Sequence, residues 1–124
     1  MKLNYRTAFI TIATVNFDRL VNFYSKILQQ NPNPYLPKSY AQFQLYGLKL
    51  GIFYPKSDHQ LEFSNCDQSS VSICLEVDNL EEAIAFLNQL EVTFSDSIIE
   101  ANHGQEIYGY DPDGNRLILV ELSP

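Results

Sequence analysis

The stretch Ile107-Tyr108-Gly109-Tyr110-Asp111-Pro112-Asp113-Gly114-Asn115-Arg116-Leu117-Ile118-Leu119-Val120-Glu121-Leu122 decides the fold. Two runs rich in apolar and aromatic residues flank Asp111–Asn115. Pro112 presets φ for the first corner of a turn and Asp113 tolerates the second. Gly114 accepts the left-handed conformation that closes a hairpin with a bulge. Both arms carry residue types that suit a pleated, half-buried surface, so the spacing predicts a β-hairpin. The second arm, Leu117-Ile118-Leu119-Val120, is continuously apolar and brings no ligand or proton-transfer group until Glu121. It points to a fold rather than to a reaction.

Ahead of the hairpin, Val92–Glu100 reads as a strand with its approach, and His103-Gly104 as a loop. Val71–Val77 reads as a strand. Asp78 or Asn79 then caps a helix over Leu80–Gln89, whose apolar stripe is Leu80, Ala83, Ile84, Leu87 and Leu90. The first half has the same order. Ala8–Val15 is β-branched and apolar, Asn16 is placed to cap a helix over Asp18–Gln29, and Leu20, Val21, Phe23, Tyr24, Ile27 and Leu28 form its stripe. Asn31-Pro32-Asn33-Pro34 ends that helix, and Pro37 keeps the chain irregular as far as Lys38. Ser39–Tyr46 and Leu48–Tyr54 read as strands joined at Gly47, and Lys56–Gln68 as a polar surface connection. Ile10 falls on Ile73, Ile12 on Leu75, Phe17 on Leu80, Val21 on Ile84 and Phe23 on Phe86 with one constant offset. A strand–helix–strands module therefore occurs twice, over about 6–60 and 68–124 of a single domain spanning 1–124.

The 124 residues suffice to bury roughly two-thirds of the unfolded surface. With 45% hydrophobic and 13% aromatic residues a packed core is expected rather than disorder. The net charge of −7 has the wrong sign for phosphate backbones or anionic membranes, so neither nucleic acid nor membrane is an expected partner. The start, Met1–Arg6, lacks an apolar core of signal-peptide length and no apolar run is long enough to span a bilayer, which points to the cytoplasm. Cys66 and Cys74 are not spaced as a redox or metal pair and read as free thiols.

Three segments, in this order, resemble the vicinal oxygen chelate superfamily. They are Phe23-Tyr24-Ser25-Lys26-Ile27-Leu28, Glu76-Val77-Asp78-Asn79-Leu80 and Asp111-Pro112-Asp113-Gly114-Asn115. That superfamily comprises glyoxalase I, bleomycin-resistance proteins, fosfomycin-resistance proteins and extradiol dioxygenases. The resemblance covers nearly the whole chain, with Gln29-Gln30 standing where the family usually has Gly. It implies an α+β fold of two βαβββ modules, whose eight strands curl into a mixed-sheet cup with helices on the outer face. It also implies a small-molecule site inside the cup, often completed by a second subunit.

Metal-using members hold a divalent ion through His or Gln on the first strand, His on the strand opening the second half, and Glu on the last strand. A further Glu comes from the end of the first half. Carried over one at a time, these positions fall on Phe9, Ser72 and Ile118, and near Leu50, Gly51 or Ile52. Phe and Ile cannot coordinate, and a neutral Ser hydroxyl is a poor ligand. No divalent metal or other cofactor is therefore expected. His59 and His103 lie in polar loops, and His103 with Glu100 and Glu106 reads as a solvated loop rather than an ion site. Glu76 reads as a cap on the following helix, and Cys74 as small apolar filler with no base beside it in sequence.

Strand alternation then sorts the lining of the implied cup. Ile10, Ile12, Val71, Ile73, Leu75, Leu117 and Leu119 should meet the helices. That leaves Phe9, Thr11, Ala13, Ser72, Cys74, Glu76, Ile118 and Val120 inside, with Gln42, Gln44, Tyr46, Tyr108 and Tyr110 from the middle strands. Such an aromatic, mostly uncharged lining suits a flat organic compound. The expected function is a metal-free, homodimeric small-molecule binder of the bleomycin-resistance kind, taking an aromatic or cationic compound. Two alternatives are a lyase or dioxygenase-like enzyme with an atypical site, and a side-chain-filled scaffold without a ligand.

Overall fold

Alternating apolar residues in the first half build a small mixed sheet with one helix against it. The computed structural model describes residues 1–64, 69–95 and 97–124. It divides into two units, Met1–Phe63 and Ser64–Pro124. The first runs β1 (Ile10–Ala13), α1 (Phe17–Leu28), β2 (Tyr35–Leu36), β3 (Tyr40–Leu45) and β4 (Leu48–Phe53), then a 3₁₀ turn over Gln60–Phe63. Its strands lie in the order β1-β4-β3-β2, with β1 parallel to β4 and the other pairs antiparallel. The second runs β5 (Ile73–Glu76), α2 (Leu80–Leu87), β6 (Thr93–Phe94), β7 (Ile99–Ala101), β8 (Gly104–Tyr110) and β9 (Arg116–Leu122). Its order is β5-β9-β8-β6, with β5 parallel to β9 and β7 also pairing β8. The chain is α+β with two mixed sheets, each unit following the same strand–helix–strands plan.

The apolar stripe of α1 sets the core of the first unit. Leu20, Val21, Phe23 and Tyr24 are buried, as are Ala41, Phe43, Leu50 and Ile52 on the sheet. The Tyr24 and Phe43 rings lie 6.5 Å apart. In the ladder Ile10 pairs Leu50, and Ile12 pairs Ile52, which in turn pairs Ala41. In-register partners share a face, so the helix side of this sheet is fixed by β-ladder geometry. In the second unit Ile73, Leu117, Leu119 and Ile107 form the corresponding buried face, with Leu80 and Leu87 of α2 buried as well.

Several sequence expectations shift. Tyr35–Leu36, expected to be irregular, pairs with Tyr40 and Ala41, because the turn at Pro37-Lys38 returns the chain with Lys38 at positive φ. Val92–Glu100 divides into β6 and β7, both short pieces on β8. His103 sits in the β7–β8 turn and Gly104 already belongs to β8. Gly104 is compulsory there, because an added Cβ would fall against the Glu121 carbonyl. Val71 is exposed rather than turned to the helix, and Phe86 is 37% exposed where its repeat partner Phe23 is 3% exposed. Asn16 starts α1 but makes no side-chain cap; its N–H instead donates to Thr14 Oγ1 at 2.9 Å. Asn79, not Asp78, caps α2, its Oδ1 accepting from Glu82 N–H at 2.9 Å. Glu76 makes no contribution to that cap. The carboxylate at the N-terminus of α2 is Glu121, which accepts from Leu80 N–H at 2.7 Å. Among the described residues no helix is long and apolar enough to cross a membrane.

Candidate functional site

The face of each sheet turned away from its helix carries the candidate residues. In the first unit, ladder partners place Thr11 beside Gly51 and Gln42, and Ala13 beside Phe53 and Tyr40. Phe9 continues the alternation just ahead of β1 and is 47% exposed. Gln44 lies on the same face opposite Lys49, but its amide nitrogen turns back to donate to the Leu45 and Leu48 carbonyls at 2.8 and 3.2 Å. Tyr46 falls beyond β3, in the turn with Gly47, and is fully exposed there. Ladder alternation does not govern a turn residue, so Tyr46 is not aligned with the others.

In the second unit three successive rungs lie on the helix-free face. Cys74 pairs Ile118, which pairs Tyr108; one rung along, Arg116 pairs Tyr110; in the other direction Glu76 pairs Val120, which pairs Glu106. Ser72 joins the Arg116 rung through its side chain, because Arg116 Nη1 donates to Ser72 Oγ at 2.8 Å. Arg116 Nη2 donates to the Ser69 carbonyl at 3.0 Å. Ser72, Cys74, Tyr108, Tyr110 and Ile118 thus stand together on one surface, with Cys74 an exposed thiol; Cys66 lies outside the described residues. Sequence reading missed Arg116, although parity with Ile118 and Val120 places it on the same face.

The positions expected to grip a divalent ion do not fit one. Phe9 and Ile118 offer hydrocarbon only. The Ser72 hydroxyl already accepts a hydrogen bond from a guanidinium, a cation that repels a metal ion brought to the same oxygen. Of Leu50, Gly51 and Ile52, ladder parity turns only residue 51 to the helix-free face, and it has no side chain. The room a side chain would need at Gly51 is filled by Tyr40, whose hydroxyl lies 2.6 Å from the place of a Cβ and donates to Gln42 Oε1 at 2.8 Å. Among the described residues no group of three or more His, Cys, Asp or Glu side chains gathers to hold an ion. His103 Nε2 is 3.3 Å from Glu106 Oε2, while Glu100 Oε1 accepts from Gln105 Nε2 at 2.7 Å, so the loop cluster is split between two separate pairs.

Two open grooves flank α1. One, of about 350 Å³, is lined by Val15, Phe17, Asp18, Lys38 and Tyr54. The other, of about 310 Å³, is lined by Val21, Asn22, Asn31, Pro32 and Tyr35. Neither includes a residue of the expected set.

The sequence matches no protein-family model and no curated protein. Solved structures do share the fold. A glyoxalase/bleomycin-resistance protein from Catenulispora acidiphila is similar at 20% identity, covering 94% of this chain and 97% of its own, with a TM-score of 0.68. A genomically encoded fosfomycin-resistance protein from Listeria monocytogenes, solved with manganese(II) and sulfate, is similar at 17% identity with a TM-score of 0.74. That match covers 98% of this chain and 93% of the other. The bleomycin-binding protein of Streptomyces verticillus, solved with copper(II)-bleomycin, is similar at 16% identity, covering 98% and 100%, with a TM-score of 0.66. The chain has the fold of the vicinal oxygen chelate superfamily.

Proposed function

We propose that this protein binds a small organic compound, aromatic or cationic, on the helix-free surface of its sheets, without a divalent metal and as a homodimer. The observation that carries the reading is the substitution of chemistry at the metal positions. Phe9 and Ile118 are hydrocarbon, Gly51 lies under Tyr40, and Ser72 accepts from Arg116. In the second unit Tyr108, Tyr110, Ile118 and Cys74 offer a flat, largely neutral platform on adjacent rungs, which suits stacking and apolar contact with a planar body. The net charge of −7 favours cationic groups on the ligand by field effects. That the bleomycin-binding neighbour was solved with a large organic compound agrees with such use of the fold, although one fold hosts many functions. Dimerisation is supported by the open strand order: β1 and β2 end one sheet and β5 and β6 end the other, and sheets that do not close favour a pairing partner.

The test is metal analysis of untagged, freshly purified protein paired with native mass spectrometry. The expected result is no stoichiometric divalent metal, a retained organic mass, and a mass twice that of the 14.2 kDa chain. Stoichiometric metal would overturn the metal-free reading, and a concentration-independent monomer by light scattering would overturn the dimer.

A further inference from the structure

We propose that Arg116 is the receptor for an oxyanion of the bound compound, so that the ligand is an organic acid laid along β9 with its acidic end at Arg116. This rests on the binding reading above and takes its aromatic alternative rather than its cationic one, the guanidinium in direct contact outweighing the screened net charge of −7. Arg116 is half-buried and braced from one side by two neutral oxygens, Ser72 Oγ at 2.8 Å and the Ser69 carbonyl at 3.0 Å. The chain has fifteen acidic residues, yet among the described residues none pairs with this guanidinium. A partly desolvated cation with no counter-charge among the described residues is costly. Its remaining N–H donors, held in a rigid planar fork, match the two oxygens of a carboxylate. Fixing the fork beforehand lowers the entropy lost on binding.

The rest of the surface sets the polarity of the ligand. From Arg116 and Tyr110 the helix-free face passes through Cys74, Ile118 and Tyr108 to Glu76, Val120 and Glu106. At about 3.3 Å per residue, Arg116 and the Val120 rung are separated by about 13 Å along the strand. The middle rung is apolar and aromatic. The far rung carries two carboxylates, one of them beside His103. An anion is therefore attracted to one end and repelled from the other, and a flat body of two fused rings held at Arg116 covers the middle rung. A cationic substituent, if the ligand has one, belongs at the Glu76 end.

The test uses the full chain and three probes of one shape: 2-naphthoate, neutral 2-naphthamide and 2-naphthylmethylammonium, titrated by calorimetry and followed by ¹H–¹⁵N NMR. Naphthoate is expected to bind about tenfold or more tightly than naphthamide, the usual size of one charge-assisted fork. Its titration should shift the Arg116 Nε–H and Tyr110 N–H signals. Arg116→Gln should bring the two affinities together, whereas Arg116→Lys should keep part of the preference as a point charge. If Arg116→Gln fails to fold, Arg116→Lys and Ser72→Ala carry the test, since each loosens the fork without removing the whole site. Equal binding of naphthoate and naphthamide to the unmodified protein would overturn the oxyanion receptor and leave the binding reading standing. A naphthoate preference unchanged by Arg116→Gln, or by both Arg116→Lys and Ser72→Ala, would overturn it as well. No binding of any probe at millimolar concentration would remove both.

Discussion

Asp111 is a carboxylate only 4% exposed, and it organises the last hairpin. Its Oδ1 accepts from the N–H groups of Asp113 and Asn115, and its Oδ2 from Asn115 Nδ2, all at 2.9 Å. A buried charge is tolerated when donors saturate it, and here they also hold the turn, which closes through Gly114 N–H to the Asp111 carbonyl. Asp111→Ala removes the carboxylate oxygens that gather these donors. It is expected to cost about 2–4 kcal/mol, read as a lower urea midpoint at unchanged m-value. Sequence reading places the turn correctly at Pro112, Asp113 and Gly114, the last at φ 92°. It overlooks Asp111, because a side chain that folds back on its own turn has no periodicity to betray it. Tyr40 acts at the same scale. Its ring covers Gly51, so Gly51→Ala pushes a methyl into the phenol and is expected to cost about 1–3 kcal/mol. In a Tyr40→Ala background the same change should cost less than half as much, and a double-mutant cycle by denaturation measures the difference.

The two helices end and begin by different devices. α1 closes with Gln29 in the left-handed region at φ 52°, Gln29 N–H reaching the Lys26 carbonyl at 3.3 Å and Gln30 N–H the Ser25 carbonyl at 3.1 Å. This Schellman closure favours Gly at the left-handed residue, and a side chain there is strained. Gln29→Gly is expected to stabilise the protein by about 0.5–1 kcal/mol, visible as a raised thermal midpoint. Gln30 acts through its side-chain amide, which both donates to the Gln44 carbonyl and accepts from the Gln44 N–H, each at 3.0 Å. It thereby satisfies β3 beyond the end of β2. α2, by contrast, is anchored at its start by Asn79 and Glu121. Asn79→Ala is expected to cost about 1 kcal/mol, and Glu121→Gln about 0.5 kcal/mol through loss of the charge at the helix N-terminus. A fall in helical circular dichroism at intermediate urea, ahead of the main transition, would identify α2 as the element loosened. The helices and long strands are legible in sequence because stripes and alternation repeat over several turns or rungs. β2 is not, nor is the division of the Val92–Glu100 strand into β6 and β7, since these pieces are only two or three residues long. Such pieces exist because β3 and β8 already supply a ladder to pair with, a tertiary cause that local sequence does not carry.

For the whole molecule, the same logic separates what a site needs from what a face happens to display. Parity along the strands groups Ser72, Cys74 and Ile118 from sequence alone, and ladder register places Cys74 and Ile118 on one rung, with Ser72 tied to the next through Arg116. Arg116 escapes that grouping because the apolar run begins only at Leu117, one residue after the strand itself. Without it a charged surface looks neutral. With Arg116 restored, the second unit's helix-free face runs from a guanidinium to two carboxylates, and a ligand that uses this polarity must stabilise the folded state by mass action. At a concentration about one hundred times its dissociation constant, a bound organic acid adds about 2.7 kcal/mol to unfolding, a thermal shift of several degrees for a chain of this length. On the metal-free reading, manganese(II) at millimolar concentration gains no such purchase at these positions, since Ser72 accepts from a cation and Phe9, Gly51 and Ile118 supply no donor. It is expected to leave the midpoint within the scatter of replicate melts, with or without chelator. A rise with manganese abolished by chelator would mean that an ion is held by donors other than those positions, and would return the chain to the metal-using side of its fold.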